Sequence, residues 1–296
     1  MARPAPAAER VLGVLDVLVT HPSERFTLSD LVRLTGMSLG SAHAVLTVLE
    51  ESGYVTRQRS PKVYSLGPAL VVAGVIALEH HPAINAGREV LTKLAEELDV
   101  EAVLTARTRN DIIFVDRQGR HSDRHPEVRE GERVPLVPPF GTVFLAWSSD
   151  EDIEQWIARA SRPTKELIRR VNDALESIRQ HGVVVTVDHD AQWTLGQRFY
   201  SLADDPSRHE IREDVGRLRA VLEGIEYFHL DFDGVDSIEV GLIAAPIFDA
   251  QSNVAASITV YGFGHPLSPD EVREAAARVR QVALQATKAS RGRVPA

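Results

Sequence analysis

The chain has 296 residues, a hydrophobic fraction of 44%, no cysteine and a formal net charge of −9. This length suffices for two domains with separate cores, and the lack of cysteine excludes disulfides, thiolate nucleophiles and cysteine-ligated zinc. No apolar run approaches the roughly 20 residues that span a bilayer, and residues 1–10 lack the apolar core of a signal peptide, so we expect a cytoplasmic protein without a membrane partner.

The charge is distributed unevenly along the chain. Residues 1–78 carry seven Lys and Arg against six Asp and Glu, a net charge of +1, whereas the remainder carries 26 against 36, a net charge of −10. An acidic total is therefore compatible with DNA binding by the amino-terminal part, because electrostatic fields are local at physiological ionic strength. So few cations favour a dimer on a palindromic site, where the contacts of one subunit are doubled.

The amino-terminal segment begins with an Ala- and Pro-rich stretch over residues 1–8, which is typical of a disordered arm. A first helix is predicted from about Glu9 to Val19. Thr27 and Asp30 have the spacing of a capping box, in which each side chain accepts a hydrogen bond from a backbone amide at the helix start. A second helix should therefore begin near Leu28.

A third helix is predicted over Leu39–Glu51, after a sharp turn at Gly36 and with Ser38 as its cap. Helical periodicity places one set of residues toward the core: Leu39, Ala42, Val45, Leu46 and Leu49. The opposite face is small and polar, and consists of Gly40, His43, Ala44 and Thr47. A helix that enters the major groove of DNA needs such a face.

The following stretch, GYVTRQRSPKVYSL, reads as two β-rich segments around a basic turn, and its Arg57, Arg59 and Lys62 are predicted to meet phosphates. Capped helix, turn, second helix and hairpin together predict a winged helix-turn-helix DNA-binding domain over 9–67. No Lys or Arg occurs from residue 36 to residue 52. Base recognition would then depend on DNA shape or on four recognition-helix residues: Ser38, Ser41, His43 and Thr47.

A competing motif overlaps the turn, because residues 36–40, GMSLG, match the G-x-S-x-G nucleophile elbow of serine hydrolases. An elbow needs a buried strand before its first glycine. The residues before Gly36 repeat with a helical period instead, which disfavours the hydrolase interpretation.

The run PALVVAGVIALEHH is apolar around most of its circumference, so a linker helix over 68–82 is predicted to be buried against a dimer mate. Strands interspersed with helices over 83–290 predict an antiparallel α+β domain of the GAF-like or PAS-like kind. Residues 188–223 do not fit this pattern. They are predicted to be either an insertion that covers the pocket mouth or extends an oligomer contact, or a plain surface loop.

Candidate metal ligands are sparse. His121 and His125 lie four residues apart in a charged loop, and residues 188–190 read Asp-His-Asp at the end of a strand. A solvated loop and ordinary turn chemistry explain these groups better than a metal cage. We therefore predict no metal site, no cofactor and no catalytic residues.

Six segments occur in order along the chain: ERVLGVLDVL, SAHAVLTVLEESGYV, YSLGPALVVAG, GERVPLVPPFGTVFLAW, IRQHGVVV and VGLIAAPIFDAQSNVAASITVYG. With these segments, the chain from Glu9 to about Lys288 resembles the IclR family of bacterial transcriptional regulators. The resemblance implies an amino-terminal winged helix-turn-helix and a carboxy-terminal effector-binding domain. Two positions depart from the family pattern: Ala44 replaces a frequent arginine, and the loop after Val187 is unusually long.

The resemblance also implies an effector site on the sheet of the larger domain, formed by Phe140, Gly141, Thr142, Leu242, Thr259 and Tyr261. A core role remains an alternative for Phe140 and Leu242. Together these features predict a ligand-responsive regulator without enzymatic activity, a homodimer or homotetramer that binds double-stranded DNA and a small, rather apolar organic acid. The alternatives are an enzyme, or a protein-interaction module, on the sheet domain with a vestigial helix-turn-helix.

Overall fold

The computed structural model describes residues 5–21, 24–120, 129–138, 140–160, 163–187, 227–228 and 234–295. Contacts divide the chain into two compact units, one formed by residues 1–80 with 129–132 and the other by residues 81–128 with 133–296. The predicted insertion at 188–223 and the candidate metal ligands at 121, 125 and 188–190 lie outside the described residues.

The amino-terminal unit contains a helix-turn-helix followed by a two-stranded hairpin and a further helix. Its elements are α1 (Pro6–Thr20), α2 (Leu28–Thr35), α3 (Leu39–Glu51), β1 (Val55–Arg57), β2 (Tyr64–Leu66) and α4 (Pro68–His80). Val14, Leu31 and Leu46 form the centre of its core and are at most 1% exposed. This arrangement confirms the predicted winged helix-turn-helix.

Two details of this unit differ from the sequence-based expectation. Helix α1 begins at Pro6, so residues 6–8 are helical and do not belong to a disordered arm; proline is well tolerated in the first helical turn. Leu39 is 60% exposed, although periodicity placed it in the core with Ala42 and Leu46. It is the first residue of α3, and a helical side chain leans over the preceding turn, which is missing there.

The carboxy-terminal unit is built on one sheet with the strand order β5-β4-β3-β9-β8-β6-β7. Its strands are β3 (Glu101–Arg107), β4 (Asp111–Gly119), β5 (Arg133–Pro135), β6 (Val184–Val187), β7 (Tyr227–Phe228), β8 (Val240–Phe248) and β9 (Val254–Tyr261). Every neighbouring pair is antiparallel, which confirms the predicted α+β class.

Helices lie on both faces of this sheet, and the two faces differ. The helices are α5 (Pro82–Leu98), α6 (Thr142–Leu145), α7 (Asp150–Ile157), α8 (Lys165–His181) and α9 (Pro269–Ala289). Helices α5 and α9 close one face over an aliphatic core that includes the fully buried Leu104, Ile243 and Ile258. The other face packs with α6, α7 and α8 around residues such as Trp156 and Leu175. The second face borders a cavity of about 160 Å³.

Helix α4 is predicted to be buried against a dimer mate, and within this single chain none of its residues is buried. Val71, Val72, Val75 and Ile76 are between 49% and 67% exposed. In the described ranges no single helix is long and apolar enough to cross a bilayer, although two bent helix pairs, α2 with α3 and α4 with α5, reach that length and apolarity when taken together.

Candidate functional site

The start of the helix-turn-helix is fixed by the predicted capping box. The Asp30 amide donates to the Thr27 hydroxyl at 3.3 Å, and the Thr27 amide donates to the Asp30 carboxylate at 2.9 Å. The Thr27 hydroxyl also donates to this carboxylate, and these bonds lower the pKa of Asp30 below its usual range. Gly36 ends α2 with φ +66°, a left-handed conformation that glycine adopts without strain.

Ser38 and Ser41, two of the four predicted base-reading residues, take part in the start of α3. The Ser38 hydroxyl accepts the Ser41 amide at 3.3 Å and lies 3.0 Å from the Ser41 hydroxyl, to which it donates. Ser38 is thus the predicted helix cap. Any contact that it makes with DNA competes with this capping role.

His43 and Thr47, the other two predicted base-reading residues, lie one turn apart on α3. The Thr47 hydroxyl donates to the His43 carbonyl at 2.9 Å, so it presents only lone pairs to an incoming base. The His43 ring is exposed, with Nδ1 3.5 Å from the Thr47 hydroxyl. His43 is therefore the candidate on this helix with the most freedom to read a base edge.

The hairpin places its three cations in solvent. Arg57 is the last residue of β1, and its guanidinium lies 5.5 Å from the centre of the Tyr64 ring, whereas Arg59 and Lys62 lie in the turn. All three are exposed. None has a carboxylate within 4.0 Å among the described residues, so their charges are available to phosphates.

The competing G-x-S-x-G motif lacks the context that a nucleophile elbow requires. Residues 28–35, which precede Gly36, form helix α2 and not a strand. The serine of the motif, Ser38, is a helix cap. This geometry removes the local basis for a hydrolase interpretation.

In the carboxy-terminal unit, the second face of the sheet borders a cavity of about 160 Å³. All six residues that the sequence assigns to an effector site border it: Phe140, Gly141, Thr142, Leu242, Thr259 and Tyr261. Phe140 and Leu242 are half-buried and also pack against the neighbouring hydrophobic cluster. A core role and a binding role therefore coincide at these two positions.

Strand register brings the sheet residues of the cavity together. Leu242 pairs with Tyr261, and Ala244 pairs with Thr259, between β8 and β9. Residues that are directly opposite in an antiparallel pair share one face. Thr259 and Tyr261 thus point to the same side of the sheet, as their alternation with apolar neighbours predicts.

The segment before α6 closes another side of the cavity. Gly141 has φ +92°, and a Cβ at this position would lie 2.3 Å from the Leu136 side chain, so only glycine fits without displacement. The Trp156 indole donates to the Phe140 carbonyl at 3.1 Å. These contacts hold Thr142, which is 5% exposed, at the start of α6 beside the cavity.

The polar groups near the cavity are a hydrogen-bonded cluster around Tyr261 and the hydroxyls of lining threonines. Tyr261 is 1% exposed and donates its hydroxyl to the Glu101 carboxylate at 2.7 Å. The same carboxylate oxygen accepts from Arg117 at 3.2 Å. The lining also includes three threonines: Thr105, Thr142 and Thr259. None of the described lining residues is Lys, Arg or His.

Among the lining residues that sequence reasoning missed is Thr186 on β6. It is 2% exposed, pairs with Leu242 across β6 and β8, and borders the cavity. Its hydroxyl has no hydrogen-bond partner among the described residues. The signal was present in the sequence, because Thr186 is the single polar residue of the strand segment VVVTV.

In the described part of the chain, no group of three His, Asp or Glu residues could hold a metal ion. The predicted candidates at 121, 125 and 188–190 lie outside it. The described cavity lining contains no carboxylate pair of the kind that general acid–base catalysis uses.

Comparison with known proteins gives consistent results for both units. The family model of the IclR helix-turn-helix domain matches residues 7–59. The transcriptional regulator KipR of Bacillus subtilis is 24% identical over 278 residues, which are 94% of this chain and 94% of that protein.

Two solved structures show the same fold over almost the whole chain. An IclR transcriptional regulator from Alicyclobacillus acidocaldarius aligns with a TM-score of 0.66 and 19% identity, over 97% of this chain and 100% of that one. An IclR homologue from Microbacterium hydrocarbonoxydans, crystallised as a complex with 4-hydroxybenzoate, aligns with a TM-score of 0.61 and 16% identity, over 96% of this chain and 99% of that one.

Proposed function

We propose that this chain, an IclR family transcriptional regulator, binds a palindromic operator as a dimer or a dimer of dimers and releases or engages it in response to a small, rather apolar organic acid. The observation that carries the proposal is that the chain has both an exposed surface of α3 and the hairpin that can meet DNA and a largely apolar cavity in the other unit. As a DNA-binding regulator, it would act in the cytoplasm, where the chromosome lies.

The proposed reading surface consists of the exposed side of α3 and the hairpin. His43 and Thr47 lie on α3, and Arg57, Arg59 and Lys62 follow on the hairpin. An electrophoretic mobility assay with the DNA upstream of its own gene tests this surface. Binding that survives excess random DNA supports operator recognition. If the DNA shows no change in mobility at low salt, the alternative is favoured, a protein-interaction module with a vestigial helix-turn-helix.

Self-association is supported by the exposed apolar side chains of α4. Monomeric proteins rarely expose a contiguous apolar patch of this kind, and four aliphatic residues within six positions of α4 are at least 49% exposed. A symmetric dimer would also double the few cations that face DNA. Light scattering after size exclusion, with Val72→Asp as the disrupting variant, measures the oligomeric state directly.

The proposed effector is an aromatic or alicyclic acid, and the size and lining of the cavity support it. A cavity of about 150 Å³ in another protein accommodates benzene, which is close to the 160 Å³ found here. Its wall is formed mainly by aliphatic and aromatic side chains, such as Val103, Phe114 and Leu242. The structurally similar Microbacterium protein binds a single-ring acid, 4-hydroxybenzoate.

A thermal-shift screen with single-ring acids and with glyoxylate tests this proposal. A ligand at 100 times its dissociation constant stabilises the folded state by about 2.7 kcal/mol, which raises the melting temperature measurably. Leu242→Asp should abolish the effect of an apolar acid. A response to two- or three-carbon acids alone, or an unaltered response in Leu242→Asp, would show that the effector class or the site is wrong.

The enzyme alternative has no support in these observations. The relatives are transcriptional regulators and not enzymes. Chemical turnover is also not needed to explain the cavity, because ligand binding alone shifts an equilibrium between conformations that differ in affinity for the ligand.

A further inference from the structure

The cavity is bordered by a buried hydroxyl that has no hydrogen bond among the described residues. Thr186 is 2% exposed, and its Oγ1 has no hydrogen-bond partner in the described part of the chain. Most buried side-chain polar atoms in proteins have at least one partner, since an unsatisfied one lowers stability. The side chain borders the cavity. A partner supplied by a bound molecule would therefore satisfy it.

Two other buried threonines of the same unit show what a structural hydroxyl looks like. Thr287, also 2% exposed, accepts the Phe248 amide at 3.1 Å and donates to the Ala283 carbonyl at 2.9 Å. Thr105 lines the same cavity but donates to the Ser257 carbonyl at 3.4 Å. Thr186 differs from both, because its side chain is buried but its hydroxyl has no hydrogen bond among the described residues.

The register of the sheet places Thr186 in a row of cross-strand neighbours that contains Tyr261. Thr186, Leu242, Tyr261 and Glu101 are successive cross-strand neighbours on β6, β8, β9 and β3. Strands lie about 4.8 Å apart, so Thr186 and Tyr261 are separated by about two strand spacings, with the apolar Leu242 between them. Tyr261 gives its only proton to Glu101. Of the two hydroxyls in this row, the one at Thr186 is therefore the one that has no hydrogen bond among the described residues.

The chemistry of the group that meets Thr186 follows from its surroundings. None of the described lining residues is Lys, Arg or His, and burying an ion without a counter-charge is strongly unfavourable. An uncharged hydroxyl can both donate to and accept from a threonine hydroxyl. Such a group at this position satisfies Thr186 without burying a second charge.

We propose that Thr186 hydrogen-bonds an uncharged hydroxyl of the effector and thereby selects a hydroxylated ring over the same ring without the hydroxyl. This inference rests on the proposed function of the cavity as the effector site. It adds a specificity-determining residue and narrows the ligand class to hydroxylated rings.

Two pairs of probes separate the hydroxyl from the acid group: phenol with toluene, and 4-hydroxybenzoate with benzoate. Ligand-observed NMR titration gives the dissociation constant of each probe for the full-length protein. We expect the wild-type protein to bind the hydroxylated member of a pair about tenfold more tightly, the size of one hydrogen bond. Thr186→Val should bring this ratio close to one, and Thr186→Ser should retain most of it.

Melting temperatures without ligand provide a second, independent readout. Thr186→Val removes an unsatisfied hydroxyl while keeping the shape of the side chain, so it should melt at the same temperature as the wild type or higher. The matched control, Thr287→Val, removes a hydroxyl with two partners and should melt at a lower temperature. A loss in Thr186→Val as large as that in Thr287→Val would overturn the proposal.

The binding outcomes distinguish this inference from the proposed function. A preference for phenol that is lost in Thr186→Val, with no binding of either acid, would support Thr186 and refute the acid class. A preference for the hydroxylated probe that persists in Thr186→Val would overturn the role of Thr186, while leaving the cavity as the effector site. Equal binding of both members of each pair to the wild type would also overturn it. If none of the four probes binds, the proposed effector class is wrong. The role of Thr186 is then tested by the melting temperatures of Thr186→Val and Thr287→Val.

Discussion

The two units of this chain present their candidate functional groups in opposite ways. In the amino-terminal unit, His43 and the hairpin cations are exposed and contribute little to the core. In the carboxy-terminal unit, Thr186 and Tyr261 are at most 2% exposed and lie within the packing of the sheet. Exposed DNA-facing residues can therefore be altered at little cost to the fold, whereas a change of side-chain volume in the cavity wall also changes the packing of the sheet.

The largest expected effect concerns the two faces of the sheet. Leu104 is fully buried on the face covered by α5 and α9, whereas Leu242 is half-buried and borders the cavity on the other face. We expect Leu104→Ala to lower the free energy of unfolding by about 3–5 kcal/mol, and Leu242→Ala by about 2 kcal/mol or less, since its side chain already faces empty space.

Urea denaturation of both variants measures this difference. The hairpin variant Arg59→Gln serves as the control from the other unit and should unfold like the wild type. Equal losses for the two leucine variants would mean that the cavity face is packed as tightly as the closed face.

The sequence predicted the helix-turn-helix more directly than it predicted the cavity. Capping and periodicity predicted α2 and α3 well, because the box of Thr27 and Asp30 and the stripe of Leu46 and Leu49 are local features. Local features did not predict the exposure of Leu39, because that exposure depends on which atoms precede the helix.

The cavity was predicted less directly. Its six candidate residues came from a family resemblance, and the structure places all six around one cavity. Thr186 was missed because its importance depends on what its hydroxyl does not contact, a non-local property that only the packed sheet reveals.

The boundary of α1 differs from the predicted one by three residues for a simpler reason, since proline can occupy the first turn of a helix.

The next effect in size concerns base recognition by α3. His43→Ala and Thr47→Ala should each reduce the ratio of operator to random-DNA affinity by about 1–3 kcal/mol if a direct base contact is lost. We expect the larger loss for His43, because the Thr47 hydroxyl already donates to the His43 carbonyl. Competition titrations with both DNAs measure the ratio. Equal losses on operator and random DNA would indicate backbone contacts instead.

A smaller effect is expected at the capping box of α2. Thr27→Ala should lower the free energy of unfolding by about 1 kcal/mol at neutral pH, the usual cost of removing a helix cap. The bonds from Thr27 lower the pKa of Asp30 in the folded state. This contribution is therefore present above the ordinary pKa of the carboxyl, which is 3.8, and it is lost as the pH falls through the lowered value.

Denaturation at a series of pH values tests the sign of this effect. The difference between wild type and Thr27→Ala should be constant from pH 7 to about pH 5 and should narrow below pH 4. A difference that widens in acid would mean that the Asp30 carboxylate does not stabilise the helix start.

The smallest effect concerns the hairpin cations, and it separates the two units most cleanly. A phosphate contact adds about 0.9 to the slope of log affinity against log salt concentration, so one contact changes affinity only about 3.5-fold between 50 and 200 mM salt. Replacing Arg57, Arg59 or Lys62 by Gln should lower the slope by roughly one per subunit and weaken operator and random DNA equally. Lys93→Gln, at an exposed lysine of α5 in the other unit, makes the same change in net charge and should leave the slope unaltered. If Lys93→Gln lowers the slope as much as the hairpin variants do, the total charge governs DNA binding and the hairpin is not a local phosphate contact.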